Sequence, residues 1–161
     1  MGVEKILAAI IGGIFQGIAT AATVKVQIPA MTKIDFRKLS LCLSIYGTIS
    51  LLFIDNQFRF IATVMFITFL IYFILKVRRK IIVLYAFDSV MILAFAEIIV
   101  SLALVLYGIN SKEIVNNYHY NTIANILISL LALFIIQLNI FKKSISKGLR
   151  VFKNKSMLIN Y

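Results

Sequence analysis

Long uncharged apolar runs alternate with short clusters of cations along this chain, and that alternation constrains its fold more than any other feature. Charge-free stretches cover Ile6 to Val24, Leu39 to Ile54, Phe60 to Leu75, Ile81 to Tyr107 (interrupted by Asp88 and Glu97) and Asn121 to Phe141. A helix rising roughly 1.5 Å per residue needs about 20 residues to cross a hydrocarbon core of roughly 30 Å. Within that core each segment must satisfy its own backbone N–H and C=O groups, which a helix does and a loop does not. The sequence therefore predicts an all-α, polytopic membrane bundle of about five helices in 1–141, followed by a basic juxtamembrane tail in 142–161. The second and third runs are short for a crossing, and flanking Lys and Arg are expected to snorkel and cover the deficit.

The cations set the orientation. Hydrophobic residues make up 61% of the chain, yet 17 Lys and Arg stand against 6 Asp and Glu, for a net charge of +11. Such an excess points to nucleic acid or to an anionic membrane surface. The cations gather between apolar runs and line no single stripe, which selects an anionic inner leaflet and argues against nucleic acid. Lys25, Lys33, Arg37 and Lys38 follow the first run, Lys76, Arg78, Arg79 and Lys80 follow the third, and Lys142, Lys143, Lys147, Arg150, Lys153 and Lys155 fill the tail. The alternate connections hold only Lys5, Arg59 and Lys112. Short cytoplasmic loops carry the excess of Lys and Arg, so the amino terminus is expected outside and the tail inside, in a multi-pass cell-membrane protein.

Cys42 and His119 are single and far apart, so the sequence offers no disulfide, no metal site and no catalytic constellation. No cofactor is implied. The first run lacks a strongly basic leader, with Glu4 and Lys5 offsetting each other, and reads as a retained span. Pro29 falls in a connection, outside every proposed span.

Ala9, Gly13, Gly17 and Ala21 form a small-residue stripe on the first span, suited to close helix approach within the chain or in a homodimer. Asp88 and Glu97 are ionisable groups at membrane depth, where a functional or specific structural role is the default. Nine residues apart, they lie on opposite faces of one helix. Depth counting sets Glu97 level with Gln16 and Ser129, as an intramembrane polar cluster or switch, and Asp88 level with Thr68 and Tyr46 as hydrogen-bond partners. Asn121, Asn125, Ser129 and Gln137 recur at multiples of four, which predicts an inward polar stripe on the fifth span. Tyr118, His119 and Tyr120 resemble an interfacial aromatic anchor. In the tail, Ile145, Leu149 and Phe152 fall at helical spacing among cations, as in a surface-lying amphipathic helix.

The layout resembles the membrane sensor region of peptide-pheromone histidine kinases of the accessory-gene-regulator type. The likeness is carried by an outward amino terminus, Lys-Ile-Asp-Phe-Arg-Lys from position 33, the Lys-Val-Arg-Arg-Lys turn from 76, the long fourth span and Phe-Lys-Lys-Ser-Ile-Ser-Lys from 141. It implies a sensor without the kinase domain that recognises a secreted peptide through Asp55, Asn56, Gln57 and the segment around Tyr118, His119 and Tyr120. The expected function is thus a non-enzymatic receptor module that passes an outside signal to a cytoplasmic partner. A small-molecule-binding subunit of a transporter and a structural or immunity membrane protein are the alternatives.

Overall fold

The computed structural model describes residues 2–54, 56–76, 82–109 and 117–138. They form five helices in chain order: α1 (Val3–Gln27), α2 (Lys33–Phe53), α3 (Asn56–Leu75), α4 (Ile82–Leu106) and α5 (Tyr118–Gln137). All five are long and apolar enough to cross a membrane, and no strand occurs among the described residues. The chain is an all-α bundle of multi-pass type. Asp55, Lys112, Arg78 with its neighbouring cations and the basic tail lie outside the described residues.

Two spans expected to be short are not. α2 starts at Lys33, well before the charge-free run, so the Lys33–Lys38 motif forms its first turns instead of preceding it. Thr32 sets that start: its hydroxyl accepts from Asp35 N (3.1 Å) and donates to the Asp35 carboxylate (2.7 Å), which satisfies one of the free amides of the first turn. α3 starts at Asn56 and carries Arg59 in its first turn. Each helix reaches about 30 Å at roughly 1.5 Å per residue, so no snorkelling is needed to complete the crossing. Charged residues are tolerated in the terminal turns because these meet the interface, a distinction that counting uncharged residues misses.

The helices pack in antiparallel sequence. Down α1 and up α2, Gly13 lies against Thr48 and Gly17 against Ser44; a Cβ at Gly13 would come 2.8 Å from Thr48 Cα, and one at Gly17 2.6 Å from Ser44 Cα. Gly47 faces back, its absent Cβ 3.1 Å from Gly13 Cα. The two backbones therefore meet with almost no side chain between them, and Ser44 Oγ donates across the seam to Ile14 O (3.4 Å). Other faces of α1 meet α4 and α5, whereas α3 packs on α2 and α4.

Two apolar clusters hold the bundle. Val24, Leu39, Leu43, Ile67, Ile71, Ile82 and Ala86 join α1 to α4 toward one end, with the half-buried Cys42 packed against them as a small apolar side chain. Ala19, Ile92, Ala96, Val100, Ile128, Ala132 and Ile135 join α1, α4 and α5. Large apolar side chains such as Ile14, Ile45, Met65, Phe69, Phe95 and Leu102 point outward. In water this surface would be a liability; against acyl chains it is the expected exterior.

Candidate functional site

One region of the bundle is built differently from its apolar seams. Toward the end where α2 meets α3, all five helices border a cavity of about 240 Å³. α1 contributes Gln16 and Thr20, α2 contributes Tyr46 and Ser50, α3 contributes Arg59, Phe60 and Thr63, α4 contributes Leu93 and Glu97, and α5 contributes Asn125 and Ile128.

The local helix geometry explains this convergence. On α4, Val90, Leu93, Ala94 and Glu97 follow the three-and-four spacing of one helix face. The opening here arises where small residues stand: Gly17 and Gly47 bring α1 and α2 together and leave room beside them. Arg59 enters from the first turn of α3, with Nη2 donating to Ile54 O at the end of α2 (3.1 Å). Among the described residues its Nε is buried without a hydrogen-bond partner.

The neutral polar groups at the wall are mostly satisfied by one another. Gln16 Nε2 donates to Asn125 Oδ1 (2.8 Å), and Asn125 Nδ2 donates to Asn121 O (2.9 Å) and Asn121 Oδ1 (2.6 Å). Thr20 donates to Gln16 O (2.7 Å) and Thr63 to Arg59 O (2.6 Å). The Tyr46 hydroxyl is 3.3 Å from Thr63 Oγ1, while its ring stacks on Phe66 at 4.2 Å between centroids. Glu97 borders the same cavity from α4, and no ion pair joins it to Arg59.

Several sequence-predicted residues take other places. Gln16 and Glu97 border the cavity together, but Ser129 does not: it is fully buried, and its hydroxyl donates to Asn125 O (2.8 Å), one turn back in its own helix. Ser129 shares the face of Asn125 but lies one turn further along α5, and Asn125 is the residue that meets Gln16. Asp88 is half-buried and meets neither expected partner, since Thr68 donates to Val64 O (2.7 Å) and Tyr46 is engaged with Thr63. Glu97 borders the cavity and is exposed, not enclosed. Along α5, Asn125 and Ser129 are buried as the inward stripe requires, but Gln137 is exposed. Four-residue steps drift by about 40° each around a helix, which turns Gln137 through roughly 160° from Asn121.

In the small-residue stripe Ala9, Gly13, Gly17 and Ala21 are all buried, and Gly13 and Gly17 are covered by α2 of the same chain. Tyr118, His119 and Tyr120 form the first turn of α5, capped by the Asn117 side chain, which accepts from His119 N (3.0 Å). None of the three borders the cavity. Asn56 and Gln57 open α3, their side chains outside the described residues, as is Asp55. No group of three His, Cys, Asp or Glu comes together among the described residues.

Arg59 is the residue that sequence reasoning misplaced. Read as a cation in an outer connection, it is a helical residue that borders the cavity. The available signal was its spacing of four from Thr63, itself three before Phe66, on the face that meets Tyr46. Compared with known families, with characterised proteins and with solved structures, the chain matches none.

Proposed function

We propose that this chain is a non-enzymatic receptor module of the cell membrane that admits a ligand from outside into the cavity beneath the α2–α3 connection and passes occupancy to a cytoplasmic partner. The observation that carries this reading is the placement of Arg59 and Glu97 at one cavity bounded by all five helices. Glu97 lies well inside α4, at membrane depth, where charges are costly and mark ligand or ion sites by default, and Arg59 meets the same cavity from the first turn of α3. The charge bias of the connections supports an outward-facing cavity, because the end with few cations is the one expected outside.

The secreted peptide implied by the likeness to pheromone sensors fits this site only through a single residue. A cavity of about 240 Å³ lies below the roughly 300–1,000 Å³ of sites for drug-sized ligands. The same small volume favours a second reading, a binding subunit of a transporter.

Accessibility tests the shared premise. In a Cys42→Ala background, Thr63→Cys should react with a membrane-impermeant thiosulfonate added to intact cells, and labelling confined to inside-out vesicles would overturn it. Uptake into proteoliposomes with a co-expressed ATPase would favour the transporter reading; altered activity of a cytoplasmic partner without uptake would favour the receptor.

A further inference from the structure

Resting on the reading of the cavity as a ligand site, we propose that its ligand is a free amino acid with an apolar side chain, bound as the zwitterion. Its carboxylate is held by Arg59 and its ammonium by Glu97.

Three observations lead there. First, the neutral donors of the wall, on Gln16, Asn125, Thr20 and Thr63, already bond within the protein. Among the described residues this leaves Ser50 and the two charged groups as the unmatched ones: Ser50 Oγ makes no hydrogen bond, the Arg59 guanidinium bonds only to Ile54 O, and Glu97 accepts no hydrogen bond there. Second, the two charged residues border one cavity and do not pair with each other. A cation and an anion at one cavity that do not pair with each other are matched by a molecule carrying both charges, on two groups bonded to one carbon, in the reverse order. A singly charged ligand leaves one of them without a counter-charge. Third, Phe60, Leu93 and Ile128 supply an apolar part of the wall, which suits an aliphatic or aromatic side chain. The volume of about 240 Å³ accommodates one such residue.

The charge pair also separates a free amino acid from a peptide end, since a peptide presents its ammonium and its carboxylate far apart. L-Leucine is the probe, with L-leucinamide, lacking the carboxylate, as the mimic of a peptide amino terminus. N-Acetyl-L-leucine, lacking the ammonium, mimics a carboxyl terminus. Binding to the full chain in nanodiscs is followed by calorimetry or scintillation proximity. Leucine should bind at least tenfold more tightly than either blocked analogue, the scale of one lost charged contact.

Glu97→Gln should lower leucine affinity about tenfold and leave N-acetyl-leucine unchanged, whereas Arg59→Gln should weaken both. A loss of fold in Arg59→Gln leaves the Glu97→Gln comparison decisive on its own. Equal binding of leucine and leucinamide overturns the zwitterion in favour of a peptide amino terminus, and no binding of any of the three overturns the amino-acid assignment. The Thr63→Cys labelling is independent of these ligands, so a site open from outside that ignores leucine refutes this inference while leaving the receptor reading intact.

Discussion

Replacing Gly17 with Ala adds a single methyl group at the place where α1 and α2 are closest, and the structure gives the size of the effect. The new Cβ would stand 2.6 Å from Ser44 Cα, about 1 Å inside ordinary van der Waals contact, and its neighbour is backbone that no rotamer change can move aside. The helices must part, which lengthens the Ser44 Oγ to Ile14 O bond and opens the Gly13–Gly47 contact next to it. Overpacking of this kind costs about 1–3 kcal/mol. Gly13→Ala, with its Cβ 2.8 Å from Thr48 Cα, should behave the same way. Gly12→Ala meets side-chain atoms of Leu51 and Asn125 at 3.1–3.3 Å and should cost less, while Gly2→Ala has nothing within 4 Å and serves as the control. Reversible unfolding in mixed micelles, followed by circular dichroism with increasing SDS, measures the series. The order Gly17 and Gly13, then Gly12, then Gly2 is expected. A Gly17→Ala protein as stable as the Gly2→Ala control would refute the close seam.

Three further outcomes are expected. A double-mutant cycle with Gln16→Ala and Asn125→Ala should return a coupling of roughly 0.6–1.7 kcal/mol in the same unfolding assay, as found for hydrogen bonds between membrane helices, and strict additivity would remove that bond. Tyr46→Phe keeps the stack on Phe66 but loses the hydroxyl contact with Thr63, so stability should fall by about 0.5–1.5 kcal/mol; Tyr46→Ala should fall further, and equal losses would deny the stacking its part. In intact cells lacking Cys42, His119→Cys should be labelled by an impermeant thiol reagent and Pro29→Cys protected until the membrane is opened, and the reverse pattern would invert the orientation.

The five crossings were legible because they depend on a bulk property, the exclusion of charge from hydrocarbon, which composition along the chain reports directly. Their ends were not, because Lys33, Arg37 and Arg59 are helical residues in terminal turns, and a count of uncharged positions assigns them to connections. The inward face of α5 was visible at Asn125 and Ser129, where helical spacing is short enough to keep phase, and was lost by Gln137 as the phase drifted. Depth counting was off by one turn on α5, where Asn125 and not Ser129 meets Gln16, and it said nothing of the bonds already made by the Thr68 and Tyr46 hydroxyls that Asp88 was expected to meet. The cavity itself depends on the five helices meeting, and no single segment announces it.

The α1–α2 seam has a mechanical consequence. Two backbones interlocked through Gly13, Gly17 and Gly47 cannot slide past one another without climbing over Ser44 and Thr48, so this pair behaves as a fixed post. α3 is hung differently, leaning on α2 and α4 through aromatic rings such as Tyr46 on Phe66 and Phe60 on Phe87, which tolerate rolling. Because Arg59 is tethered to Ile54 where these two parts join, a tilt of α3 about that point is magnified toward Leu75, at the opposite end of the helix.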